Sequence, residues 1–210
     1  MKVTVMQKIF VVTHPQAQHH VQRLVGGWYD SHLTEKGKAA AQAIAGRLRS
    51  EIGDAEVHVY SSDLARAMET ATAIAQQFGT TARSMPQLRE LSYGAAEGKP
   101  QSWLDERFVP APDDDRLDHI SCEGAESKRS FATRIYQAME QIIQDPVGTK
   151  VISTHGYAMT FVVAAWIGMP LEASGYVNVR ASSGGITLLL EDDFLRNRVL
   201  QYVNDTSHLK

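Results

Sequence analysis

Two histidines each follow a short apolar run, a placement typical of reactive groups in an α/β sheet. His14 follows the run at 10–13, and His155 follows a similar run at 151–154. In an open parallel sheet, ligands bind beyond the carboxyl ends of the strands. The sequence therefore predicts that both imidazoles lie at one edge of a sheet and face a ligand.

An arginine and a glutamate follow the other extended segments of the first half of the chain. Arg66 lies in the first turn of the helix predicted after the strand at 57–61, and Glu90 lies after a third extended segment. A cation near a helix N-terminus is unfavourable unless an anion is held there, and arginine and helix N-termini both bind phosphate. Two imidazoles, one guanidinium and one carboxylate suit phosphoryl transfer through a phosphohistidine. One histidine attacks phosphorus, the other stabilises the phosphoryl oxygens, and the glutamate protonates the leaving oxygen.

Short β-branched runs alternate with amphipathic segments along the chain, and this alternation predicts the elements that position these groups. The predicted strands are Lys8–Thr13, Val57–Ser61, Lys150–Thr154, Ile186–Leu190 and Arg198–Val203. The predicted helices run from a Thr34 cap to about Ser50, from Ser62 or Asp63 to just before Gly79, from about Glu123 to Gln144 and from Tyr157 to Ile167, with a short helix near Trp103. The fold class is therefore α/β, a three-layer α/β/α sandwich with a mostly parallel sheet, in a single domain over residues 1–210.

Composition narrows the classes of partner. The net charge is −3 and no basic run is present, which argues against nucleic acid or an anionic membrane surface. No apolar stretch approaches the roughly 18 residues that span a bilayer. One cysteine, Cys122, excludes an internal disulfide and fits a reducing compartment, so that a cytoplasmic protein is expected. The acidic run at 113–115 is interpreted as a solvated surface, and no metal site is expected.

Five segments, in order along nearly the whole chain, resemble the histidine phosphatase superfamily, which includes the cofactor-dependent phosphoglycerate mutases and many small-molecule phosphatases. The segments are 27–30 with 33–37, 61–67, 88–94, 153–156 and 204–209. The resemblance implies a phosphoglycerate mutase-like fold with no metal and no cofactor. It implies that His14 is the phosphorylated nucleophile and that Glu90 is the general acid and base. It also implies that Arg66 and His155 hold the phosphoryl group.

The first motif departs from the family pattern. Thr13 stands where the family has an arginine, Pro15 where it has a glycine, and His20 where an asparagine is common. Thr13 donates one neutral hydrogen bond and supplies no charge. Losing one charge-stabilising donor costs about 10²–10³ in rate, so slow turnover is still expected. Candidates for a replacement cation are His19, His20, Arg23 and Arg89, and the residues expected to bind substrate are Thr13, His20, Arg23 and Arg89.

The leading hypothesis is a hydrolase that removes the phosphoryl group from a small phosphorylated metabolite and that binds inorganic phosphate as product. The chain is shorter than typical mutases and its central segment is small, which disfavours a phosphoglycerate mutase-type phosphotransferase. Two further hypotheses stay open: a degenerate member that binds an anion or a partner with little catalysis, and altered chemistry on a less charged substrate. The protein is expected to be a monomer or a homodimer.

Overall fold

A computed structural model describes residues 6–192 and 194–210. The strands are β1 Lys8–Thr13, β2 Val57–Ser61, β3 Ala82–Ser84, β4 Thr149–Thr154, β5 Ile186–Glu191 and β6 Arg198–Asp205. The helices are α1 Gln18–Gln22, α2 Glu35–Ile52, α3 Ala65–Gln77, α4 Gln101–Asp105, α5 Lys128–Gln144 and α6 Ala158–Trp166. In the part of the chain that is described, no helix combines the length and the apolar character needed to cross a membrane.

The strands form one sheet in the order β3-β2-β4-β1-β5-β6. The first four strands in sequence run parallel to one another, β5 runs antiparallel to its neighbour β1, and β6 runs antiparallel to β5. Few residues separate β5 from β6, and a connection that short can only return the chain in the opposite direction. The predicted α/β class is confirmed, and the sheet is mixed because β5 runs against the other five strands.

Strand β1 shows why the fold has three layers. Ile9 and Val11 pack with α5 and α6, and Phe10 and Val12 pack with α2 and α3 on the other face. Successive side chains of a strand point to opposite faces, so a strand covered by helices on both sides must be apolar throughout. The apolar run before His14 is therefore what a strand in the interior of the sheet, covered by helices on both faces, requires.

The predicted start of α3, at Ser62 or Asp63, lies two to three residues too early. The helix begins at Ala65, and Leu64 is its N-cap. The N–H of Ala65 instead donates to Asp30 Oδ1 at 2.8 Å. A carboxylate from a distant loop thus caps the helix, which local sequence patterns do not reveal.

The start of α5 also differs from the prediction. The helix begins at Lys128 rather than near Glu123, because the Ser127 hydroxyl accepts a hydrogen bond from Ser130 N and acts as the N-cap. Gly124 has a φ of +70°, which breaks a right-handed helix. Residues 123–127 therefore form a loop before the helix.

Candidate active site

The register of two parallel strands places the two histidines side by side. Thr13 of β1 pairs with Thr154 of β4, so each strand ends at the same level. The backbone N–H of His14 donates to Thr154 O at 3.0 Å. The imidazole centroids of His14 and His155 lie 5.1 Å apart at an interplanar angle of 69°. Both side chains are buried, with exposed fractions of 7% and 1%.

The hydrogen bonds of His14 leave one ring nitrogen ready to act as a nucleophile. Nδ1 lies 2.8 Å from Pro15 O, and a carbonyl oxygen only accepts, so the proton sits on Nδ1. The lone pair of Nε2 then accepts the N–H of Arg66 Nε at 3.2 Å. Burial and the Arg66 charge hold the pKa of His14 well below its usual range. The imidazole is therefore neutral at physiological pH, as nucleophilic attack requires.

Arg66 is a buried cation held by backbone carbonyls. Its guanidinium donates to Gly27 O at 2.7 Å and to Tyr29 O at 2.8 Å, besides His14. Burial lowers the pKa of Arg66 to about 10, which still leaves it charged at neutral pH. Gly27 has a φ of +58°, and a Cβ there would lie 3.0 Å from both Glu97 Oε1 and Leu91 O. A glycine at this position allows the left-handed backbone conformation and the close packing of this loop against the segment that carries Leu91 and Glu97.

His155 presents an unsatisfied nitrogen. Its Nε2 lies 2.8 Å from the Ser62 hydroxyl. Nδ1 is buried and has no hydrogen-bond partner among the described residues. Burial is the main cause that lowers the pKa of His155, followed by the Arg66 charge. A buried polar group without a partner costs free energy, so a ligand oxygen at Nδ1 would be stabilising.

Glu90 faces the start of α6, directly after His155. Its carboxylate accepts the N–H groups of Leu91, Tyr157 and Ala158 at 2.9, 2.9 and 3.1 Å. Burial raises the pKa of the Glu90 carboxyl, against the opposing effect of these amide hydrogen bonds. Arg134 donates to Glu90 O at 2.7 Å and fixes the backbone at this point. The carboxyl is thereby held at the start of α6, just after the second histidine, with a raised pKa.

The other predicted substrate-binding residues occupy different positions. Thr13 is buried and donates its hydroxyl to Ser182 O at 2.5 Å, so this hydroxyl is directed at a loop. Arg89 makes two hydrogen bonds to Asp63, at 2.7 and 2.5 Å. Arg23 is exposed and ends α1 with a φ of +55°. Their roles toward substrate stay predictions.

His20 does lie against His14. The two rings stack, with centroids 5.5 Å apart and an interplanar angle of 15°. Nδ1 of His20 accepts the N–H of Ala17 at 3.2 Å, so the ring proton is on Nε2. His19, whose ring centroid lies 6.1 Å from that of His14, is hydrogen bonded to Ser31. Burial lowers the pKa of His20, and lowers that of His19 to about 3, so neither ring is charged at neutral pH.

A model of the histidine phosphatase superfamily, branch 1, matches residues 9–204. The chain belongs to this superfamily. A probable phosphoglycerate mutase, GpmB, of Yersinia pestis (strain Pestoides F) is 30% identical to this protein over 212 residues, which cover 97% of this chain and 95% of that protein. The predicted membership in this superfamily is thus confirmed.

Solved structures share the fold of this member of the superfamily. A putative α-ribazole-5′-P phosphatase of Escherichia coli superposes with a TM-score of 0.77 at 20% identity, over 95% of this chain and 96% of that chain. A mycobacterial glucosyl-3-phosphoglycerate phosphatase in complex with VO3 gives a TM-score of 0.78 at 23% identity, over 95% and 100% of the two chains. These likenesses establish the architecture on which the histidines are placed.

Sequence reasoning misses several residues that shape the site. Ser62 contacts His155, and the carbonyls of Gly27 and Tyr29 orient Arg66. Ser62 lies in the segment 61–67, one of the five that resemble the superfamily. Nothing in the sequence indicates that its hydroxyl contacts His155. The carbonyl contacts involve main-chain atoms, which carry no sequence signal.

Proposed function

We propose that this protein hydrolyses phosphate monoesters of small metabolites through a phosphorylated His14. The observation that carries the proposal is the state of this imidazole. Its Nδ1–H donates a hydrogen bond to Pro15 O, and its Nε2, which carries the lone pair, lies 3.2 Å from Nε of the buried Arg66. The adjacent His155 offers a buried nitrogen that has no partner among the described residues. A tetrahedral phosphoryl group placed between them would meet a nucleophile, a cation and a neutral donor.

The first half-reaction transfers the phosphoryl group to the enzyme. The Nε2 lone pair of His14 forms a bond to phosphorus as the bond from phosphorus to the ester oxygen breaks. Glu90, in its protonated form, gives its proton to that oxygen, and the alcohol leaves. Arg66 and His155 stabilise the negative charge on the equatorial oxygens. The raised pKa of the Glu90 carboxyl supports this role, because it increases the protonated fraction.

The second half-reaction returns the enzyme to its starting state. The Glu90 carboxylate takes a proton from water, and the water oxygen bonds to phosphorus. The bond between phosphorus and Nε2 breaks, which releases inorganic phosphate and neutral His14. The proton that Glu90 acquires is the one it donates in the next cycle.

The decisive experiment compares the wild-type protein with His14→Ala and His119→Ala on a panel of phosphate monoesters. We expect His14→Ala to lose at least about 10³-fold in kcat/KM, because the covalent route is removed. His119 is partly exposed and binds a backbone carbonyl outside the site, so His119→Ala should keep the wild-type rate. Alkaline quenching followed by mass spectrometry should find a phosphorylated His14 peptide in wild type, because the bond between nitrogen and phosphorus in phosphohistidine is stable in alkali and hydrolyses in acid. Unchanged turnover in His14→Ala would refute the mechanism.

The name of the Yersinia pestis relative favours a second candidate, phosphoglycerate mutase activity. A mutase and a hydrolase share the phosphohistidine and differ in the acceptor of the phosphoryl group. Incubation with 3-phosphoglycerate separates the two. Release of inorganic phosphate supports the hydrolase, whereas formation of 2-phosphoglycerate without phosphate release supports the mutase.

A further inference from the structure

The centre of the site holds less positive charge than a phosphoryl dianion requires. Arg66 is charged, but three of its N–H groups already donate to His14 Nε2, Gly27 O and Tyr29 O. Burial holds the pKa values of His14 and His155 well below the ordinary value. Thr13 supplies no charge where the family motif has an arginine. A second guanidinium from another part of the chain would restore the balance.

The segment 178–185 runs between the two elements that carry the reactive histidines. At one end, Val179 N donates to the Thr160 hydroxyl of α6 at 3.1 Å. At the other end, Thr13 donates its hydroxyl to Ser182 O, and Gly184 N donates to Thr13 O at 3.1 Å. Strand β5 then begins opposite Val12. The segment therefore crosses the carboxyl edge of the sheet beside the histidines.

Arg180 lines a cavity next to the start of α6. The cavity has a volume of about 460 Å³, and Gly156 and Tyr157 form its wall on the α6 side. Its remaining lining residues carry no carboxylate: Asn178, Val179, Arg180, Ala181, Ser182 and Asn204. Arg180 is exposed, and among the described residues it takes part in no ion pair. Its guanidinium is therefore available to an anion.

We propose that Arg180 supplies the second guanidinium for the phosphoryl group that is transferred, in place of the motif arginine that Thr13 replaces. The inference rests on the proposed function for its catalytic consequence. Thr13, which stands in place of the motif arginine, donates its hydroxyl to Ser182 O in the segment that carries Arg180. Arg23 is the competing candidate, but its backbone carbonyl binds Gln101 N, which ties it to α4 rather than to β1.

The test compares Arg180→Gln, Arg180→Lys, Arg23→Gln and Arg49→Gln. Arg49 lies in the last turn of α2, where the chain leads into the start of β2, and is paired with Asp54. It serves as the control for loss of one partly exposed guanidinium. Substrates are phenyl phosphate and 4-carboxyphenyl phosphate, which differ by one remote negative charge. We expect Arg180→Gln to lower kcat/KM about 10²-fold on both, with partial retention in Arg180→Lys and no change in Arg49→Gln.

Three outcomes would overturn the assignment. Wild-type rates in Arg180→Gln would exclude a role for this residue. A loss confined to 4-carboxyphenyl phosphate would make the cavity a subsite for a second anionic group. A loss in Arg23→Gln with an unaltered Arg180→Gln would assign the charge to Arg23.

A binding measurement separates this inference from the proposed function. Inorganic phosphate affinity, measured by calorimetry, should fall at least about 10-fold in Arg180→Gln whether or not the protein turns over, because one of two charged contacts is lost. If wild type hydrolyses no monoester but shows this dependence, the proposed function fails and the role of Arg180 stands. Equal phosphate affinity in wild type and Arg180→Gln refutes the inference.

Discussion

At the scale of single residues, Ser62 can hold His155 in the tautomer that binds a phosphoryl oxygen. The Ser62 hydroxyl lies 2.8 Å from His155 Nε2 and accepts the N–H of Leu64 at 3.3 Å. A phosphoryl oxygen only accepts, so the tautomer that binds it carries its proton on Nδ1, and in this tautomer the Ser62 hydroxyl donates to Nε2. Nδ1 is the buried atom without a partner among the residues that the structure describes. Ser62 thus turns His155 into a donor available to a phosphoryl oxygen.

Replacing this hydroxyl tests the assignment. Ser62→Ala should lower kcat/KM about 10-fold, the value of one hydrogen bond of roughly 1.4 kcal/mol, because Nδ1 is no longer held as the donor. Ser62→Thr keeps a hydroxyl and should retain most of the rate. Ser61→Ala removes a neighbouring buried hydroxyl that donates to a backbone carbonyl, and should leave the rate unchanged. Equal losses in the alanine and threonine variants would show that Ser62 acts only through packing.

At the scale of elements, the sequence predicts those features that depend on residues close together in the chain. The sequence predicts β1 at Lys8–Thr13 and the structure confirms it, because this apolar run is buried on both faces. The Thr34 cap of α2 is also confirmed, since its hydroxyl accepts the N–H of Gly37 at 3.0 Å. The cap of α3 comes from Asp30, far along the chain, and no local pattern indicates it. Helix α1 is short and polar, so the sequence shows only a polar stretch in its place.

A partly buried polar cluster joins the end of α5 to the edge of the sheet. Asp145 accepts hydrogen bonds from His58 at 2.6 Å, from Arg83 at 3.1 Å and from the Tyr60 hydroxyl. Burial raises the pKa of the Asp145 carboxyl, but the hydrogen bonds from Tyr60 and His58 outweigh it and bring the pKa to about 2. A carboxylate with a depressed pKa stabilises the folded state most when it is ionised.

Asp145→Asn should therefore destabilise the fold in a pH-dependent way. At neutral pH the expected loss is on the order of 2 kcal/mol in the free energy of unfolding, since one pKa unit is worth about 1.4 kcal/mol. The stabilisation is complete above the ordinary pKa and is lost as the pH falls through about 2. Urea unfolding across this range should show the gap between wild type and variant closing with acid. Asp54→Asn, at an exposed carboxylate, is the matched control, and a gap that does not depend on pH would contradict the assignment.

At the scale of the whole molecule, the site exists only when the chain is folded. His14, Arg66, Glu90 and His155 come from four separate parts of the sequence, and the sheet order brings them together. The sequence predicts their types and their positions after extended segments, because parallel strands share one carboxyl edge. It does not predict Arg180, because the segment before β5 has no periodic pattern and its place is fixed by contacts to Thr13 and Thr160.

An anion that fits the assembled site should therefore stabilise the whole fold. A ligand that binds only the native state at about 100 times its Kd adds about 2.7 kcal/mol. For a chain of this size, that corresponds to a rise in Tm of roughly 5–10 °C. We expect orthovanadate to produce this rise in wild type, because vanadium can accept the Nε2 lone pair of His14 as phosphorus does. His14→Ala should lose most of the rise and His119→Ala should keep it, as measured by scanning calorimetry at matched vanadate concentrations. An equal rise in His14→Ala would place the bound anion away from the nucleophile and would contradict the geometry on which the phosphohistidine depends.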